Sequence, residues 1–264
     1  MFEIFRMDIR RMYKDKKFYS ILTFIFVAVL LFRLICAPSA VPFLNMLTGD
    51  VESNLSSIGE LARMPQLEFL QTIMHSGFLS LLCCVYMGLF VCADFECGFY
   101  KHIFSIHAKE SHYIMSKLML SAILSLIVCL TAGFSAIIIS YIPAFKLPPS
   151  SMMDAIVLLV QEWSIMTGFG MLMLFFSVVI KNKAIIGIGI IAGGGLLVFI
   201  VSMFANFINR PEIETGILKY SLFGAENNCI TMYNAESFWR TLGVSFVWIV
   251  IYTILSKLVL KRKF

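Results

Sequence analysis

Residues 155–180 read AIVLLVQEWSIMTGFGMLMLFFSVVI, an apolar run in which Glu162 is the only charged side chain. As a helix rising 1.5 Å per residue it is about 39 Å long, enough to cross a hydrocarbon layer of about 30 Å. It lacks the two-residue alternation of an outer-membrane barrel strand. Five more runs of this kind lie at residues 18–36, 76–93, 117–142, 184–208 and 238–258, the second being the shortest. Of the 264 residues 59% are hydrophobic and 14% charged, whereas a soluble domain carries roughly a quarter of its residues as charge. With the apolar residues gathered into blocks, a soluble enzyme, a nucleic-acid-binding domain and a disordered chain are excluded. The expected fold class is an all-α integral membrane protein, a single domain over 1–264 with six transmembrane helices.

The charged minority gives the orientation, because Lys and Arg accumulate in cytoplasmic loops. Arg6, Arg10, Arg11, Lys14, Lys16 and Lys17 precede the first run, and Lys101, Lys109 and Lys117 follow the second. Lys181 and Lys183 separate the fourth from the fifth, and Lys257, Lys261, Arg262 and Lys263 end the chain. The other side holds Arg33, Arg63, Lys146, Arg210, Lys219 and Arg240 among more numerous acids. Both termini are therefore expected in the cytoplasm, which requires an even number of spans. A cleaved signal peptide fits the start less well. Its apolar stretch of 19 residues exceeds the usual 7 to 15, Arg33 interrupts the end, and Cys36 follows Leu34-Ile35 rather than a small residue.

Residues 1–17 place Phe2, Phe5, Ile9 and Met12 at steps of three and four, opposite Arg6, Arg10, Arg11, Lys14 and Lys17. That spacing predicts a basic amphipathic helix lying in the headgroup layer. Between the second and third runs stands ADFECGFYKHIFSIHAKESHYIMSK, residues 93–117. Gly98 permits a bend, and Phe99, Ile103, Phe104 and Ile106 form an apolar cluster among polar residues. The expected outcome is a short helix across the membrane face, able to fit a groove on a cytoplasmic partner.

The order Asp94-Phe95-Glu96-x-Gly98-x-x-Lys101, then Ser105, then Ser116-Lys117-Leu118, resembles the permease subunits of type-2 ABC transporters. The six runs, the amphipathic start and the outer segment before the last run support the resemblance over nearly the whole chain. Phe99 stands where that family usually has Thr, and Glu110 where Arg is frequent. The resemblance implies that residues 94–112 are a coupling segment, with Asp94, Glu96, Gly98, Phe99, Lys101, Phe104 and Ser105 addressing an ATPase. It also implies two ATPase copies, a second permease that is identical or a sister chain, and a site in the bacterial cytoplasmic membrane. No G-x-x-x-x-G-K-[ST] occurs in this sequence, so this chain would bind no cofactor and ATP with Mg would sit in the ATPase subunit. Length and outer segments, at residues 37–75 and 209–237, are most similar to permeases of lantibiotic or bacteriocin immunity and export. An apolar or amphipathic substrate would suit the apolar spans, whereas an ion-coupled carrier or channel usually places several ionisable groups at midplane.

Glu162, between Gln161 and Trp163, is a functional-site hypothesis by its depth alone. It fits a place on the translocation path, an attraction for a cationic substrate, a pair with Arg240 or Arg33 across a subunit interface, or a side chain reaching outer water. Gly189-x-x-x-Gly193 suits close helix packing, and Gly193, Gly194 and Gly195 together suit a hinge. No metal site is expected, because His102, His107 and His112, five residues apart, share no helical face, and Cys92 and Cys97 form no C-x-x-C pair. The seven cysteines give no disulfide framework, although Cys36 and Cys229 fall on the same outer side. No catalytic set is present, so the chain by itself is not expected to be an enzyme.

Overall fold

The computed structural model describes residues 2–35, 64–105, 110–141, 151–182, 184–193, 203, 219–227, 229 and 234–263. Its helices, in chain order, are α1 Phe2–Lys14, α2 Lys16–Ile35, α3 Gln66–His75, α4 Phe78–Glu96, α5 Phe99–Ser105, α6 Glu110–Ser140, α7 Met152–Ile180, α8 Ile185–Gly193, α9 Leu222–Asn227 and α10 Ala235–Lys263. Among the described residues five of these, α2, α4, α6, α7 and α10, are long and apolar enough to cross a membrane. All regular structure among the described residues is helical, and the chain is a multi-pass membrane protein. The run at 184–208 is described over Ile185–Gly193 and at Met203, and the rest of it lies outside the described residues.

Most helix ends extend past the apolar runs, because backbone hydrogen bonding continues into polar residues that water or headgroups solvate. The largest change is at α6, which begins at Glu110 rather than at Lys117. At 31 residues it is about 46 Å long, well beyond the hydrocarbon thickness. Lys117 consequently lies inside a helix and is fully buried. The segment proposed at 94–112 divides into the last turn of α4, the bend, α5 and the first turn of α6, with 106–109 outside the described residues. Gly98 makes the bend at φ 68°, in the left-handed region that a side chain would strain.

Helices α4 and α7 form the centre. Two-thirds of each apolar window is buried, against 22% in α2 and 11% in α10. Helix α7 packs on α10, α4 and α6, while α8 lies along α4. A Cβ at Gly189 would meet the Cα of Val85 at 3.5 Å, and one at Gly193 would overlap the Cα of Leu81. Two glycines four apart on α8 thus face two α4 backbone positions four apart, the close packing that the G-x-x-x-G spacing suggests. Gly194 and Gly195 lie outside the described residues.

Candidate functional site

Among the described residues, the charged side chains buried in this bundle collect toward its two ends. The first cluster joins α1, the foot of α4 and the head of α6. Asp8 of α1 accepts hydrogen bonds from Lys117 Nζ at 2.9 Å and from Ser116 Oγ at 2.8 Å. Lys117 Nζ also lies 2.6 Å from Asp94 Oδ2, and Arg11 donates to Asp94 Oδ1 at 2.5 Å. The Tyr113 hydroxyl donates to Asp94 Oδ2 at 3.1 Å. Two carboxylates therefore face two cations, and the cluster carries no net charge. Asp8, Asp94 and Lys117 are fully buried, and only the Arg11 side chain, 34% accessible, reaches solvent.

Aromatic rings complete the cage. Arg11 lies 4.9 Å from the Phe90 ring and 5.0 Å from that of Phe99, and Lys117 lies 4.8 Å from Phe90. Burial by itself would lower the Arg11 guanidinium, but the Asp94 and Asp8 carboxylates outweigh it and raise it above its ordinary value. Arg11 thus touches α1, α4 and α5 at once. On the far side of α5, Lys181 at the C-terminus of α7 sits 5.2 Å from the Phe95 ring and 5.5 Å from that of Tyr100.

Of the residues assigned to ATPase coupling, Asp94 turns inward and supports the surface from beneath. Glu96 and Lys101 are exposed, and Phe99 is half-buried under Arg11. The side chains of Phe104 and Ser105 lie outside the described residues, although both belong to α5. Asp8 escaped the sequence reading. Its signal was present: it stands one turn before Met12, on the stripe that packs against the bundle, and both are fully buried.

The second cluster lies at the opposite end, where α3, α7 and the α9–α10 connection meet. Glu162, fully buried on α7, has His75 Nε2 3.9 Å from its Oε1. Neither Glu162 oxygen nor His75 Nε2 has a hydrogen-bond partner among the described residues. Cys229 completes the group, and one donor atom from each of the three lies within 4.8 Å of the others. Its position is fixed by its backbone carbonyl, which accepts from Gln71 Nε2 of α3 at 2.9 Å. Its thiol donates to the Ala225 carbonyl at 3.4 Å.

Glu226 stands beside this group, 4% exposed, and accepts a hydrogen bond from Ser80 Oγ at 2.6 Å. Burial pushes the Glu226 carboxyl up to about 7, against the pull of that hydrogen bond. Burial likewise lowers the His75 imidazole and raises the Cys229 thiol, the latter helped by the Glu162 charge.

Glu162 and Gln161 thus face the interior, whereas Trp163 points to another helix pair. Its Nε1 donates to the Ala122 carbonyl at 2.7 Å, and its ring lines an open groove toward Trp239 and Phe246 of α10. Within this single chain Glu162 meets neither arginine, and a pair across a subunit interface involves a second chain. Arg33 packs on the Phe69 ring of α3 at 5.7 Å, and exposed Arg240 donates to Ser237. Cys36 lies outside the described residues, and the Cys229 sulfur is a free thiol. No family model matches this chain, and the search of curated proteins returns no match.

Proposed function

We propose that the chain is the permease subunit of an ATP-driven ABC exporter, with six spans and both termini in the bacterial cytoplasm. In this reading it moves an amphipathic peptide or lipophilic compound outward, and a separate ATPase pair supplies the energy. The observation that carries the reading is the Arg11–Asp94–Lys117–Asp8 cluster. A motor subunit pressing on α5 must move spans that contain no nucleotide site. The cluster ties α1, the end of α4 and the start of α6 into one unit beneath α5, so a displacement there is not absorbed by side-chain rotation. Buried and neutral, it resists being pulled apart, because separating either pair strands a charge.

The face of α5 with Lys101 and the Phe99 edge is then the docking surface. At the other end, Leu67, Leu70, Phe134, Ile137 and Leu159 line an apolar groove of about 280 Å³ between α3, α6 and α7. An apolar wall of this kind suits the nonpolar face of an amphipathic substrate. A second permease, identical or a sister chain, would cover helix faces that this subunit leaves exposed.

The test is isolation of the full chain from its native membrane in mild detergent. A soluble chain bearing G-x-x-x-x-G-K-[ST] is expected to accompany it, and a Phe99→Ala, Lys101→Glu double variant is expected to lose that partner while remaining folded. Absence of any such chain from the native complex would overturn the reading. The alternative, an ion-coupled carrier, draws on Glu162 and Glu226 as buried acids at one end. It requires gradient-driven uptake by the isolated chain.

A further inference from the structure

The second cluster has a composition that transport by itself does not require. His75, Glu162 and Cys229 come from three separate segments and converge within 4.8 Å. Two of them present buried polar atoms with no hydrogen-bond partner among the described residues: Nε2 of His75 and both oxygens of Glu162. Unmet donors and acceptors in a protein interior are costly, and a group bound among these three side chains would satisfy them. A water molecule could join His75 to Glu162, but it would not explain why Cys229 is held there through its backbone carbonyl by the Gln71 side chain.

We propose that His75, Glu162 and Cys229 form a binding site for one Zn²⁺ ion. Nitrogen, carboxylate oxygen and sulfur are the three donor types that zinc accepts, at about 2.0 to 2.3 Å from the metal. Magnesium and calcium favour oxygen-only sets, and Cu(I) favours sulfur without carboxylate, so this mixed set selects zinc over them. Charge leads to the same ion. A dication with one carboxylate, one thiolate and one neutral imidazole sums to zero, which removes the penalty of an uncompensated carboxylate in an apolar interior. On binding, the Cys229 thiol gives up the proton it shares with the Ala225 carbonyl, and that proton leaves to water.

The ligand atoms are slightly too far apart for tetrahedral coordination, in which neighbouring donors lie roughly 3.3–3.8 Å from one another. Binding therefore draws the C-terminus of α3 and the α9–α10 connection toward α7. Access is through His75, whose side chain is 22% exposed while its Nε2 atom is buried. Three protein ligands leave a fourth position open to a water molecule, and Glu226, which accepts from Ser80, stands close enough to interact with Glu162. The site thus fastens the α3 end of the bundle. The inference is independent of the transport reading, because zinc binding is measured on the chain alone.

The test uses the purified full chain in detergent or nanodiscs, stripped with a chelator, desalted and titrated with Co²⁺ as a coloured substitute for zinc. One Co²⁺ per chain is expected, with tetrahedral d–d bands and a near-ultraviolet thiolate-to-cobalt charge-transfer band, all erased by stoichiometric Zn²⁺. Cys229→Ser is expected to abolish the charge-transfer band, and Cys97→Ser, at an exposed cysteine, to keep it. Glu162→Gln and His75→Gln are expected to weaken binding by about 100-fold or more, since loss even of an outer-shell partner commonly costs 10–100-fold. Folded wild-type chain that takes up no Co²⁺ would overturn the proposal, and this result requires no variant to fold. A charge-transfer band that survives Cys229→Ser, or equal metal content in all three ligand variants, would show an adventitious ion only.

Discussion

Both ends of this bundle bury acidic side chains, but they treat them in opposite ways. At the α1 end, Asp8 and Asp94 are met by Lys117 and Arg11 at 2.5–2.9 Å, with a tyrosine and a serine filling the remaining directions. At the α3 end, Ser80 donates to Glu226 alone, while Glu162 has, among the described residues, only a histidine 3.9 Å away as a cation-capable neighbour. The first arrangement is balanced in charge and pairs each carboxylate with a cation, and in the proposed exporter it would link the helices mechanically. Among the described residues the second shows no Lys or Arg beside Glu162 and keeps polar atoms without hydrogen-bond partners. A protein keeps such a deficit where something else binds, and the difference separates a joint from a site.

The joint should be the more sensitive to substitution. Lys117→Met leaves two buried carboxylates facing one partly exposed arginine, and should cost about 3–5 kcal/mol, read as a lower unfolding midpoint in detergent. A Lys117→Met variant as stable as the parent would remove the contrast between the two ends.

Zinc should reveal the deficit at the other end. At a free concentration of 100 times its Kd, it should stabilise the parent by about 2.7 kcal/mol and Glu162→Gln by only about 0.4 kcal/mol or less, read by thermal melts with and without metal. Equal zinc-dependent shifts in both proteins would place the ion elsewhere.

Gly193→Ala probes the packing between the ends. Its new methyl must displace the α4 backbone at Leu81, so a loss of at least about 1–3 kcal/mol is expected, again from the melting curve. The smallest effect belongs to Glu162→Gln without metal. Replacing an acid that lacks a partner should leave stability unchanged or raise it by about 1 kcal/mol, whereas Asp94→Asn should lower it. Parallel losses in the two variants would mean that both ends are joints.

The legibility of these features in the sequence follows from how local each one is. Helix periodicity and apolar length are local, so α1 and the five long helices could be read directly. The Gly189/Gly193 spacing also carried its meaning, because helix approach depends on residues four apart. Asp8 and Lys117 were harder. A charge at the edge of an apolar run reads as a solvated boundary, and only the pairing of α1 with α6 shows that both are interior. His75, Glu162 and Cys229 were not legible at all as a group. Spacings of 87 and 67 residues on three segments leave no motif, and convergence is a property of the fold. Asp94 shows the converse: its place in a recognisable segment suggested a surface role, while its neighbours on α1 and α6 enclose it.

In the proposed exporter, force applied at the α5 end drives release of substrate at the α3 end. This coupling is tested most directly in sealed vesicles containing the full chain with its native ATPase and sister subunits, supplied with a fluorescent amphipathic peptide. Peptide movement is expected to require ATP on the α5 side and to be lost in a correctly assembled Lys117→Met complex. Movement driven by a proton or sodium gradient with this chain alone, unaffected by ATP, would contradict it.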